Sequence, residues 1–302
     1  MNKINIVFIG CVQFSKTVLI ELLNQNVNIT GICTKKKNIF NADFSDLSGL
    51  AKAKNIPYIF WKNNCDKEMY SWIKSKKPDF IFCIGWSNII SKKILNLAKY
   101  YSIGYHPLDI NKYKGRHPII WAIILGLKKI SPTFFVMSKF ADTGKILSQK
   151  NFVLKSSHNS SYVYEKLKLV AKGQVSDVIK KIIKNKNKIK FNHSELKKKF
   201  NKGFFLRKRS FNDGQIDWRM SAKSIQRLVN ALSKPYSYAS FTYGGKNFKV
   251  KSVKIIKTKV KEEPGKVILL KSKNPIIRTG ENAIKLIDIY PKKSFKLNEY
   301  LK

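Results

Sequence analysis

Two polar-rich turns carry the side chains best suited to chemistry. The first reads Gly104-Tyr105-His106-Pro107 and runs on to Lys112-Tyr113-Lys114-Gly115-Arg116-His117-Pro118; the second reads Ala141-Asp142-Thr143-Gly144-Lys145-Ile146. An imidazole titrates near neutral pH, and a nearby carboxylate raises its pKa by stabilising the imidazolium. His106 and Asp142 on neighbouring strand ends could therefore share general acid–base work. The same residues have a plainer reading. A turn histidine commonly hydrogen-bonds its own loop, and an aspartate close before a glycine is ordinary turn chemistry. His117, beside Arg116, packs the loop or touches a substrate; the residues alone leave both open.

Positioning such a pair requires elements that end at one edge. Short β-branched runs at Ile4–Ile9, Asn28–Thr34, Tyr58–Phe60 and Asp79–Ile84 alternate with helical patterns at Ser15–Leu23, Asp46–Lys54 and Glu68–Lys76. This alternation predicts βαβ units and a doubly wound, mostly parallel sheet, an α/β fold with helices on both faces. Both turns are expected to follow strands of that sheet, the second strand being Thr133–Met137, at the carboxyl edge where ligands bind. The first β-to-α turn, GCVQFS, has one glycine where a dinucleotide fingerprint has three, which disfavours NAD, FAD and Walker-type phosphate binding.

After a helix at Tyr162–Lys181 the chain becomes lysine-rich, and the reading divides it into 1–185, a basic linker 186–208, and 209–302. The linker is a solvated tether or an RNA or membrane contact. Beyond it, one helix at Ser221–Leu232 precedes alternating strands at Ser240–Tyr243, Phe248–Lys254, Lys266–Lys271 and Ala283–Tyr290, a small mostly-β domain expected to form an open barrel.

Charge bears on partners more than on fold. The 302 residues hold 60 Lys+Arg against 18 Asp+Glu, a net charge of +42, with 43% hydrophobic residues, enough for sizeable cores. The excess points to nucleic acid or a membrane surface. Only Arg116, Arg207, Arg209, Arg219, Arg227 and Arg278 are arginines, however, whereas phosphate-reading surfaces favour arginine's bidentate fork. Compositional bias and selected polyanion binding both remain as causes. Cys11, Cys33, Cys65 and Cys83 lack CxxC spacing and read as reduced thiols, not as a disulfide or zinc scaffold. No run reaches about 18 apolar residues, so a membrane span is not expected and a cytoplasmic location is.

With these motifs in order, the chain resembles the tetrahydrofolate-dependent formyltransferases. HPLDINKYKGRHPIIW is similar to that family's His-containing loop, and ADTGKILSQ to its Asp-x-Gly-x-Ile turn. Val7-Phe8-Ile9-Gly10 resembles the opening strand, and Lys77-Pro78-Asp79-Phe80 leading to GWSNII resembles the folate-side strand. Arg209 to Trp218 and Leu228 to Tyr236 resemble the C-terminal domain. The resemblance implies formyl transfer from 10-formyltetrahydrofolate to an amine through a tetrahedral intermediate, without a metal. His106 and Asp142 would be catalytic; Trp86, Asn88, Ile89, Ile90, Phe140 and Ala141 would bind the folate, and Lys114 and Arg116 the acceptor. One departure matters. The family asparagine two residues before the histidine is Gly104, and a lost oxyanion donor costs about 2.7–4 kcal/mol. Asn88, or a water in the space left by glycine, could replace it. Asp109-Ile110-Asn111 also departs from the family's Leu-Leu-Pro.

Within the family three acceptors arise. Glycinamide ribonucleotide enzymes resemble only the first domain. KYKGRHPIIW and RSFNDGQIDW look closer to the nucleotide-linked amino-sugar N-formyltransferases. The loop Thr34-Lys35-Lys36-Lys37-Asn38-Ile39-Phe40-Asn41-Ala42-Asp43-Phe44 carries three lysines but not the glycine usual in the methionyl-tRNA branch. An amino-sugar nucleotide is therefore the expected substrate and methionyl-tRNA the runner-up, since +42 suits tRNA through counterion release. A different class is a nucleic-acid-binding homologue that kept the fold and lost activity.

Overall fold

The computed structural model describes residues 3–37, 42–62, 66–138, 140–185, 203–271 and 274–301. They belong to two compact units, Met1–Pro118 with Ile130–Phe152 and Glu165–Leu206, and Ile119–Lys129 with Val153–Tyr164 and Arg207–Lys302.

In the first unit the alternation becomes β1 (Ile4–Ile9), α1 (Gln13–Leu23), β2 (Val27–Thr34), α2 (Ser48–Ala53), β3 (Tyr58–Phe60), α3 (Asp66–Ser75), β4 (Phe80–Cys83), α4 (Lys92–Leu95) and β5 (Tyr101–His106). Along the chain follow β6 (Tyr113–Gly115), α5 (Pro118–Ile124), the two-residue β7 (Lys129–Ile130), β8 (Thr133–Val136), β9 (Ile146–Gln149), β10 (Phe152–Val153), the long α6 (Ser160–Asn185) and β11 (Phe204–Leu206), with Ile119–Lys129 and Val153–Tyr164 belonging to the second unit. Seven strands form one sheet in the order β3-β2-β1-β4-β5-β8-β9. Neighbours from β3 to β5 are parallel, while β8 is antiparallel to both β5 and β9. Phe8, Phe80, Phe82 and Phe134 are fully buried on it. Each such side chain contributes about 1.5–3 kcal/mol, which makes the sheet a rigid base for its edge loops. Gln174 of α6 ties the last two strands together, its Nε2 donating to Pro132 O at 3.0 Å and Ser148 O at 3.3 Å.

One expectation is corrected. The turn holding Asp142 does not follow a parallel strand, because β8 runs against β5 with Thr133 opposite His106 and Val136 opposite Ile103. That turn leaves the ladder beside Ile103 and must fold back to reach His106.

The second unit contains α7 (Ala222–Ala231), β12 (Ala239–Tyr243), β13 (Lys246–Ile256), β14 (Val267–Lys271), β15 (Asn274–Arg278) and β16 (Ala283–Tyr290). Ser221 caps α7, its Oγ accepting from Ser224 N at 3.1 Å, and Ala222, Ile225, Leu228 and Val229 form the buried face. The strands make an antiparallel sheet in the order β12-β13-β16-β15-β14, open at β12 and β14. Strand β15 escapes a reading of pattern because it is short and contains Pro275, a residue disfavoured in strands.

Of the cysteines, Cys11, Cys33 and Cys83 are buried; burial pushes the Cys83 thiol up to about 12. Cys65 and most of the 186–208 segment lie outside the described residues. No helix among the described residues is long and apolar enough to cross a membrane.

Candidate active site

His106 is the last residue of β5 and is 4% exposed. Its Nδ1 lies 3.6 Å from Asp142 Oδ1, so the fold brings together the two side chains picked out by type. Its Nε2 is buried and has no hydrogen-bond partner among the described residues. Burial lowers the His106 pKa below the usual histidine value, and the Asp142 carboxylate pulls the other way without overcoming it. The lowered value favours the neutral imidazole. With the carboxylate facing Nδ1, the proton of the neutral ring belongs on Nδ1. Nε2 is then left as a buried base.

Asp142 sits at φ 52°, a left-handed conformation that aspartate tolerates better than most residues. Its turn is held by its own polar atoms. Thr143 Oγ1 donates to Phe140 O at 2.8 Å, Ser138 Oγ and Thr143 Oγ1 are 2.7 Å apart, and Phe140 N–H donates to Ser138 Oγ at 3.2 Å. Gly115 N–H donates to Asp142 Oδ2 at 2.9 Å. Gly115 is required for this contact. Its φ is 103°, and a Cβ there would stand 2.3 Å from Leu206 O. Strand β11 pins the same loop through Arg116 N–H to Leu206 O at 2.8 Å and Phe204 N–H to Lys112 O at 2.6 Å. Ser138, Thr143 and the Gly115 amide were not singled out by sequence, although hydroxyl residues flanking an Asp-x-Gly turn are a readable positioning signal.

Gly104 shows where the departure leads. A Cβ at this position would meet Phe135 Cζ at 2.9 Å and Met137 Cγ at 3.0 Å. Those side chains take up the space beside Gly104. Beside it, Tyr105 packs on Phe14 and Phe134 with ring centroids 4.4 and 4.9 Å away.

The residues expected at the folate divide. Ile90 is buried in the core with Val7, Ile9 and Ile94. Ile89 is 88% exposed, Phe140 is 45% exposed and Ala141 is exposed. Trp86 is half-buried, with Nε1 buried and unpartnered. Asn88 Oδ1 accepts at 2.6 Å from the Nζ of Lys35, the first lysine of the loop after β2. Of the two cations expected at the acceptor, Lys114 is half-buried on β6, and Arg116 is exposed with Nη1 donating to Ser87 O at 2.8 Å. That bond ties GWSNII to the loop whose Gly115 holds Asp142.

The distal motif RSFNDGQIDW is occupied with itself. Asp213 accepts from Arg207 and from Ser210 N–H, and Arg207 holds its carboxyl well below the usual range. Arg207 and Arg209 lie 5.5 and 5.1 Å from the Trp121 ring. These are anchoring contacts of the second unit.

Residues 3–179 match the formyl transferase family, and residues 209–302 match the formyl transferase C-terminal domain. The chain belongs to the formyl transferase family. Methionyl-tRNA formyltransferase of Caldanaerobacter subterraneus is 28% identical over 306 residues, spanning 98% of this chain and 96% of that protein. The bifunctional polymyxin resistance protein ArnA of Wigglesworthia glossinidia brevipalpis is 32% identical over 200 residues, 66% of this chain and 30% of that one. An N-formyltransferase from Helicobacter canadensis, solved with folinic acid and dTDP-3-aminofucose, superposes with a TM-score of 0.65 at 16% identity, covering 95% of this chain and 100% of that one. This last likeness establishes the shared formyltransferase fold.

Proposed function

We propose that this formyltransferase moves a formyl group from 10-formyltetrahydrofolate to the primary amine of a nucleotide-linked amino sugar. The observation that carries the chemistry is the buried, neutral His106 with an unpartnered Nε2 and Asp142 behind its Nδ1. The unpartnered Trp86 Nε1 and His106 Nε2 fit a ligand that brings polar ring atoms and a formyl oxygen. Trp86, Asn88, Ile89, Phe140 and Ala141 would hold the folate, which supplies an activated one-carbon acyl group. His106 Nε2 accepts a proton from the attacking amine. The resulting imidazolium, stabilised by Asp142, donates from Nε2 toward the developing oxyanion and then returns the proton to the folate N10 as the C–N10 bond of the tetrahedral intermediate breaks, releasing tetrahydrofolate and the formamide. Holding amine and formyl donor together supplies further acceleration. Residues 1–185 carry this chemistry, and 209–302 form an accessory domain joined by 186–208.

The amino-sugar acceptor is supported by the KYKGRHPIIW and RSFNDGQIDW segments and by the glycine-free lysine loop after β2. Lys114 and Arg116, with unused N–H donors, would take its phosphate or sugar oxygens. Methionyl-tRNA is the second reading, favoured by 28% identity to a methionyl-tRNA formyltransferase along nearly the whole chain. The test is a panel of nucleotide-linked amino sugars and methionyl-tRNA with 10-formyltetrahydrofolate, following tetrahydrofolate release. Release with methionyl-tRNA alone replaces the acceptor. Release with no amine favours the inactive nucleic-acid-binding class.

A further inference from the structure

Lys35 is the only buried lysine among the described residues, at 8% exposure. Its ammonium has three N–H donors and no acceptor. One donor reaches Asn88 Oδ1 at 2.6 Å, and the ring centroids of Trp61 and Trp86 lie 4.6 and 4.8 Å from Nζ. Among the described residues no ion pair includes it. A buried cation is stable when an anion or a full set of hydrogen bonds meets it, and a neutral amide with two ring faces meets it in part. Burial lowers the Lys35 pKa accordingly, with Cys11 opposing. The buried, unpartnered Trp86 Nε1 adds another unused donor to the same cluster.

The cluster is placed where a ligand arrives. Lys35 follows β2, Trp61 follows β3 and Trp86 follows β4, all at the carboxyl edge of parallel strands. It is also tied to the catalytic loop, because Ser87, next to both Trp86 and Asn88, accepts from Arg116.

We propose that Lys35, framed by Trp61 and Trp86 and steadied by Asn88, is the recognition site for an oxyanion, a carboxylate or phosphate, carried by one of the two substrates. This rests on the formyl-transfer reading. Two sources supply that chemistry: the glutamate carboxylates of the folate, and the phosphates of a nucleotide-linked acceptor.

The test is a tryptophan-fluorescence titration of the full chain with inorganic pyrophosphate, folinic acid and 5-formyltetrahydropteroate, which lacks the glutamate. K35M and K35Q are measured in parallel, using whichever keeps the wild-type melting transition. Pyrophosphate binding weakened at least tenfold assigns the site to an acceptor phosphate. Folinic acid weakened at least tenfold, with formyltetrahydropteroate unchanged, assigns it to the folate tail. Three results overturn the proposal: wild-type affinity of the variant for every probe, no binding of any probe by the wild type, or equal weakening of folinic acid and its deglutamated form with pyrophosphate binding unchanged. None of these titrations needs turnover, so they remain decisive even where no amine in the acceptor panel is formylated.

Discussion

Replacing Asp142 by asparagine removes one charge while nearly preserving shape, and the structure sets the expected cost. The carboxylate lies 3.6 Å from His106 Nδ1. At an effective dielectric constant of about 20, unit charges at that separation attract by about 4–5 kcal/mol, and this applies only once His106 is protonated during transfer. The Asp142 side chain is 20% exposed, so screening reduces the figure to about 3–4 kcal/mol, or about 10²–10³ in rate. A tautomer effect adds to this. The asparagine oxygen can still accept from Gly115 N–H, which turns its NH2 toward His106 Nδ1. Nδ1 must then accept, the ring proton moves to Nε2, and the base is lost; an analogous aspartate-to-asparagine change in a hydrolase triad costs about 10⁴. Single-turnover formyl transfer by D142N should therefore fall by about 10³–10⁴ with little change in melting temperature. Activity within tenfold of wild type, at an unchanged melting temperature, would refute this account of the pair.

Other expectations follow from the same geometry. Because burial depresses the His106 pKa, the native state binds its proton less readily than the unfolded chain does. The contribution of His106 to stability is thus present above about pH 6.5 and is lost as pH falls through the lower folded value; H106Q should flatten that segment of a melting-temperature profile against pH. G104N, which restores the family residue, should destabilise the chain by about 1–3 kcal/mol through its clash with Phe135 and Met137, and M137A should relieve part of it in calorimetry. G115A should lower turnover at least tenfold while the first-unit sheet persists by circular dichroism, since its Cβ would push the loop from Leu206 O and break the amide bond to Asp142. S138A and T143A together should weaken catalysis less than D142N does, because they loosen the Asp142 turn without removing the charge.

Local chemistry made a good deal of this legible. Period-two and period-3.6 patterns from Ile4 to Ile84 dictate the βαβ alternation, and a histidine ending one strand run marks the edge where a site belongs. The single glycine of GCVQFS disfavours dinucleotide binding for a local reason, since that turn's backbone chemistry is written in adjacent residues. Other features depend on residues distant in sequence. The direction of β8 is one: Thr133–Val136 pairs with β5 through backbone hydrogen bonds that any apolar run could make in either sense. The net pKa of His106 is another, because desolvation depends on everything packed around it and here outweighs the carboxylate. The packing beside Gly104 is a third: Phe135 of β8 and Met137 just beyond it take up the space there. Lys35 looked like one of many lysines until folding set it between Trp61 and Trp86. Sequence by itself determined which residue types were available and which elements carried them. Tertiary structure decided which of them lost water and which partner replaced it, because solvation is a property of the packed whole.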